Sequence, residues 1–142
     1  MSNYPEAVVA PMREELVQAG FTQLMTPEEV DTALRRPGRT LLVLNSVCGC
    51  AAGSLRPGVL RALEERGLHF DHLVTVFAGM EKEAVQRARD HFGNHMPTSP
   101  NIALFKDGTL VRHMPRGVFE NLNADQIADE LEQEAQKGSS QI

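Results

Sequence analysis

The chain has 142 residues, a length that suits one domain with a core large enough to fold without disulfide staples. Its formal net charge is −5, its one basic cluster (Arg35, Arg36, Arg39) has no flanking aromatics and Trp is absent, so a nucleic-acid surface is not expected. Two cysteines cannot make a disulfide framework, no apolar run reaches the roughly 20 residues that span a bilayer, and Met1–Glu6 lacks a basic segment leading into an apolar one; a soluble cytoplasmic protein without membrane contact is expected.

Val8, Val9, Met12, Leu16 and Val17 recur at helical spacing over 5–20, and Gly20 is the expected stop. Thr26-Pro27-Glu28-Glu29 combines an N-cap, a proline at the first helical position and a capping-box glutamate, opening a short helix that Pro37-Gly38 ends. Residues 40–45 are apolar without alternation, as in a strand covered on both faces. Cys48-Gly49-Cys50 follows at its carboxyl end. Val59, Leu60 and Leu63 mark the next helix, which ends near Gly67. Gly53, Pro57 and Gly58 are poor helix-interior residues, so that helix starts either directly after the cysteines or only after Ser54.

A second covered strand is predicted over 70–77, and Ala84, Val85 and Ala88 give a helix from Glu81 to Phe92. Residues 101–105 and 109–113 flank Asp107-Gly108 and predict a hairpin. A last helix is expected from about Ala124 to Ala135, opened by Asn123 with Gln126 three residues on, and then a frayed tail. The order α, α, β, α, β, α, β, β, α contains a βαβ crossover, whose strands lie side by side with a right-handed connection, followed by an antiparallel hairpin and a closing helix. That arrangement is an α/β thioredoxin-like fold with a mixed four-stranded central sheet. The single domain divides into an N-terminal helical extension (1–38), a core (39–136) and a tail (137–142).

A thiol pair at the carboxyl end of a covered strand, just before a helix, points to thiol–disulfide chemistry. A cysteine thiol ordinarily titrates near ~8.5, and the attacking species is the thiolate. Cys48 is expected to be the nucleophile because it stands nearer the strand end, with Cys50 as the less accessible resolving partner. The N–H groups and dipole at a helix start favour an anion there; no Lys or Arg is closer in sequence than Arg56, so most of the activation is assigned to the helix end.

Asn45-Ser46-Val47-Cys48-Gly49-Cys50-Ala51-Ala52-Gly53 resembles the signature of the bacilliredoxins, thioredoxin-fold proteins with a Cys-Gly-Cys motif. The similarity continues through Ser99-Pro100-Asn101-Ile102-Ala103-Leu104-Phe105-Lys106-Asp107-Gly108 to Met114-Pro115-Arg116 and covers nearly the whole chain. It implies a thiol–disulfide oxidoreductase with no bound cofactor, taking a low-molecular-weight thiol, bacillithiol, as co-substrate and S-thiolated proteins as clients. The wider thioredoxin likeness implies a cis bond at Ser99-Pro100. It also implies that Ser46, Gly49, Ser99 and Pro100 contact the substrate. Thioredoxins usually carry Trp before Cys-x-x-Cys; here Val47 takes that place and one residue fewer separates the sulfurs. The smaller ring of a Cys-x-Cys disulfide makes it more easily reduced, which favours accepting a thiol adduct or shuffling disulfides over strong reduction.

Other readings stay open. One is disulfide isomerase-like activity. Another is a non-catalytic interaction module with two inert cysteines. A third is a zinc site from Cys48, Cys50, His91 and His95, although Gly93-Asn94 interrupts the helix between the histidines. His69, His72 and His113 are read as surface or strand-edge residues, and Phe77, Phe92 and Phe105 as core. Asn45 and Ser46 either satisfy loop backbone groups, the favoured reading, or polarise the thiol region, and Arg116-Gly117 either lines the site or forms a turn. The oligomeric state, and whether the first helix packs within the monomer or on a second copy, are left undecided.

Overall fold

Leu41 and Val43 point to one face of the central strand and Leu42 and Leu44 to the other, and all four are fully buried. A strand with two apolar faces needs a layer of helices on each side, and the rest of the chain supplies them. The computed structural model describes residues 3–49, 51–92 and 99–140. Its strands are β1 (Thr22–Gln23), β2 (Arg39–Asn45), β3 (His72–Phe77), β4 (Asn101–Lys106) and β5 (Thr109–Met114). The α-helices are α1 (Glu6–Val17), α2 (Pro27–Leu34), α3 (Arg56–Leu60), α4 (Lys82–Asp90), α5 (Arg116–Glu120) and α6 (Ala124–Ser140). Helix α3 is flanked by π-helical turns at Ala51–Leu55 and Arg61–Glu65, so residues 51–65 wind without a break.

The sheet order is β1-β3-β2-β4-β5. Strands β1, β3 and β2 run parallel, and β4 and β5 are antiparallel to their neighbours. This is the expected thioredoxin-like arrangement with one strand more than the four predicted. The addition is β1, which pairs Thr22 with Val74 and Gln23 with Thr75. Two residues are too few to leave a periodic signal in the sequence.

One face packs Leu55, Val59, Phe119, Ile127 and Leu131 against β2 and β4. The other packs Val30, Leu34, Ala84, Val85 and Ala88 of α2 and α4 against β2 and β3. Full burial of each such Val or Leu contributes about 1.5–3 kcal/mol. Helix α1 packs within its own chain, with Val9 and Leu16 completely buried. The hairpin turns through Asp107 and Gly108, both at positive φ (50° and 84°), the geometry that suits the twist of its two strands.

Two further expectations are corrected. Helix α6 runs to Ser140, through residues read as a frayed tail; an established helix adds one hydrogen bond per residue, so a lone glycine costs about 1 kcal/mol without stopping it. The segment after Pro115 is the short helix α5, where only a turn or a site-lining stretch was expected.

Candidate active site

The carboxyl end of β2 is held by its own last residues. Asn45 is 1% exposed, and its amide oxygen accepts hydrogen bonds from the Ser46 N–H (2.8 Å) and from Arg56 Nη1 (2.8 Å). Its Nδ2 donates to the Met12 carbonyl of α1 (3.2 Å), and its backbone carbonyl accepts from Ala78 N–H (3.0 Å). Arg56 Nη1 also donates to the Ser46 carbonyl (3.0 Å), while Nε reaches the Glu15 carboxylate of α1 (3.2 Å). The Arg56 side chain is only 3% exposed and Glu15 is 42% exposed, so the cation is buried and paired at the rim of the site. Burying a guanidinium is tolerable only when it is paired and hydrogen-bonded, and here Nε and Nη1 both have acceptors.

Above this base the chain turns. Ser46 Oγ accepts from the Cys48 N–H (3.1 Å), and the Cys48 carbonyl accepts from Ala51 N–H (3.0 Å) and Ala52 N–H (3.3 Å). Cys48 therefore stands at the amino end of the 51–65 helical segment, so of the two expected helix starts the earlier is the one observed. The reason a Gly- and Pro-containing stretch begins a helix lies in packing. Leu55 and Val59 are fully buried in the core, and Pro57 follows directly on the π-helical turn Ala51–Leu55, where the hydrogen-bond pattern changes.

Cys48 is half-buried and Gly49 exposed. The hydroxyl oxygen of Ser46, read as a substrate contact, accepts from the Cys48 N–H, and the Asn45 amide oxygen accepts from the Ser46 N–H, so both satisfy backbone groups of the turn. Pro100 is buried and Ser99 half-buried, and the peptide between them is cis, as the resemblance implied. They precede β4, whose antiparallel register pairs Asn101 with Leu44. Continuing that register sets Ser99 and Pro100 beside the β2 end from which the Cys48 turn departs. Cys50 lies outside the described residues, as does His95.

His91 Nε2 is engaged by Asp31 (2.9 Å), between α4 and α2. Among the described residues no cluster of three or more His, Cys, Asp or Glu side chains could hold a metal ion. His69 is exposed, and His72 donates to the Pro37 carbonyl (3.1 Å). His113, on the edge strand β5, is half-buried with its ring tilted against Phe92 at 4.7 Å. Phe77, Phe92 and Phe105 are core residues, each at most 3% exposed.

Sequence reasoning missed the Arg56–Asn45–Glu15 base. A signal was available, because Arg56 precedes Val59 by three residues and so shares its inward face. The contributions of Met12 and Glu15 come from a distant helix and left none.

A family model described as "Disulphide isomerase" matches residues 4–138. A bacilliredoxin of Cytophaga hutchinsonii is 53% identical over 128 residues, covering 90% of this chain and 94% of its own. One of Geobacillus kaustophilus is 46% identical over 139 residues, covering 87% and 92%. Among solved structures, oxidised mitochondrial thioredoxin 3 of Saccharomyces cerevisiae superimposes with a TM-score of 0.56 at 16% identity, covering 82% of this chain and 94% of that one. Oxidised thioredoxin O2 of Arabidopsis thaliana gives 0.53 at 16% identity, covering 82% and 95%. The structural likeness establishes the thioredoxin fold and the sequence likeness the kinship: the chain belongs to the bacilliredoxin family, a thiol–disulfide redox protein.

Proposed function

We propose that the protein removes a low-molecular-weight thiol from mixed disulfides on client proteins, with bacillithiol as that thiol. The observation that carries this reading is the position of Cys48, half-buried at the amino end of a helical segment with its own N–H and carbonyl tied into the turn. Such a helix end favours the thiolate form. The thiolate attacks the small-thiol sulfur of the client's mixed disulfide. One S–S bond forms at Cys48 as the other breaks, and the client leaves as a thiolate that takes up a proton. Cys50 then attacks the Cys48 sulfur, releasing the small thiol and leaving a Cys48–Cys50 disulfide. In the alternative resolution a second small thiol attacks the adduct and departs as the symmetrical disulfide. Electrons balance in both routes, since two pass from the cysteine pair or from two small thiols to the client.

Ser99 and Pro100 would receive the incoming disulfide beside Gly49, and no bound cofactor is required. The description of the matching family favours a second reading, disulfide isomerisation, through the same attack by Cys48 on a client's own disulfide. Mass spectrometry of Cys50→Ser after incubation with bacillithiol disulfide and glutathione disulfide tests the proposal. A stable adduct on Cys48 that forms faster with bacillithiol is expected. Absence of any Cys48 adduct refutes it, as does full de-thiolation activity in Cys48→Ser. Equal rates with both thiols would remove bacillithiol as the preferred partner.

A further inference from the structure

We infer that Arg56 is a positioning residue for thiol exchange: its buried guanidinium fixes the direction in which the Cys48 turn presents its sulfur. This rests on the exchange chemistry proposed above. The guanidinium joins its own helix to two other pieces of chain through three donor–acceptor contacts: to α1 at Glu15, and to the end of β2 at the Asn45 amide oxygen and the Ser46 carbonyl two residues before Cys48. Asn45 in turn accepts from the Ser46 N–H, so both backbone groups of Ser46 are held, one directly by Arg56 and one through its partner. The Ser46 hydroxyl then accepts from Cys48 N–H. The path from Arg56 to the cysteine is therefore two hydrogen bonds long on a residue with little freedom left.

Arg56 is too buried to touch a client, with 3% of its side chain exposed. It acts through the turn. The fork geometry matters here, because Nη1 serves the two acceptors at the β2 end while Nε serves Glu15. A lysine ammonium keeps the charge and can meet some of these acceptors, but it lacks the planar fork that holds them in fixed directions.

Thiol–disulfide exchange requires the attacking sulfur to approach along the axis of the bond it breaks. Alkylation by a small electrophile has no such demand on the protein and follows the thiolate population. A misplacement of about 1 Å can cost a positioned reaction on the order of 10²-fold. The two reactions thus separate orientation from ionisation.

The experiment uses the full chain in a Cys50→Ser background, so that exchange stops at the Cys48 adduct. Second-order rates are measured with glutathione disulfide and with iodoacetamide for Arg56, Arg56→Lys and Arg56→Met, each confirmed as folded by circular dichroism. Leu34→Ala, buried on the opposite face of the sheet, serves as a destabilised control. The expected result is a loss of exchange rate of about tenfold or more in Arg56→Met. Alkylation should change less than about threefold, Arg56→Lys should fall in between, and Leu34→Ala should exchange normally. If Arg56→Met does not fold, Arg56→Lys alone must show exchange falling more than alkylation. Equal loss in both reactions, no loss in either, or the same exchange loss in Leu34→Ala would overturn the inference. Failure of the unsubstituted Arg56 protein to form any adduct would instead refute the redox proposal itself.

Discussion

Two glycines in one helical segment should respond in opposite directions to the same substitution. Gly58 in α3 faces α6 so closely that a Cβ there would stand 2.7 Å from both Cβ and Cγ2 of Ile127 and 3.1 Å from the Ala124 carbonyl. Carbon atoms prefer about 3.5–4.0 Å, so the shortfall is roughly 1 Å at two atoms. Neither atom is the end of a flexible chain; both belong to the stiff branch point of a fully buried isoleucine, so α6 as a whole must retreat. Overpacking of this kind costs about 1–3 kcal/mol, and two hard contacts place it near the upper end. Alanine returns about 1 kcal/mol of helix propensity. The net for Gly58→Ala is a loss of about 2 kcal/mol, which for a chain of this size lowers Tm by about 6 °C. At Gly53, in the π-helical turn beside the cysteines, a Cβ would meet nothing within 4 Å, so Gly53→Ala should leave Tm unchanged or raise it by up to about 3 °C. Thermal unfolding followed by circular dichroism measures both. A Gly58→Ala protein at least as stable as Gly53→Ala would refute the close packing of α3 on α6.

Thr26→Ala removes a capping box in which Thr26 Oγ1 accepts from Glu29 N–H (3.2 Å) and Glu29 returns a bond to Thr26 N–H (3.3 Å); a loss of about 1 kcal/mol is expected in urea unfolding. The Asp31 carboxyl is held below the usual carboxylate range, first by the hydrogen bond from His91 and then by the Arg87 guanidinium. The stability this confers is complete above about pH 4 and is lost as pH falls through the lower folded-state value. Asp31→Asn should therefore be less stable than the parent at pH 7, with the gap narrowing as pH falls below about 4, and a gap that stays constant from pH 7 into that acid range in urea titrations would contradict the assignment. Cys48→Ser should abolish formation of the small-thiol adduct while shifting Tm by less than about 2 °C, since the half-buried side chain fills no core position. Intact adduct formation would move the nucleophile elsewhere.

The parts of the fold that could be read in the sequence were those written in local pattern. Leu41–Leu44 carried the covered strand, Thr26–Glu29 the start of α2, and Asp107-Gly108 the hairpin. Strand β1 was missed because two residues have no period, and its place is given by Val74 and Thr75 of β3. The extension of α6 through Gly138 was missed because Lys137-Gly138-Ser139-Ser140 has the composition of a frayed tail, when a helix already anchored by Ile127 and Leu131 can absorb the glycine's local penalty. The cysteine motif was visible for the same reason β2 was, since both lie in one continuous stretch. What supports it was not, because Asn45, Arg56, Met12 and Glu15 meet only after α1 has folded back over the end of β2.

That convergence changes the standing of the N-terminal segment. Read from sequence, residues 1–38 look like an extension outside the catalytic core. In the folded chain α1 reaches the ends of both central parallel strands. Met12 and Glu15 hold Asn45 and Arg56 below the Cys48 turn. Next to Met12 on the same helix, the buried Arg13 guanidinium pairs with Glu81 (2.8 Å), lies over the Phe77 ring and bonds Gln23 of β1 (2.9 Å). Glu81 also accepts from Phe77 N–H (2.9 Å), so the end of β3 is tied down by the same helix that ties down β2. A thiol that exchanges partners needs a rigid seat more than it needs a deep pocket, because its substrate brings its own reactive bond and the protein supplies only direction and ionisation. In this chain a shortened spacing between cysteines leaves the turn little bulk of its own, with Gly49 between them and Gly53 just beyond. The support comes from beneath, where α1 and Arg56 hold the end of β2 through Asn45 and Ser46.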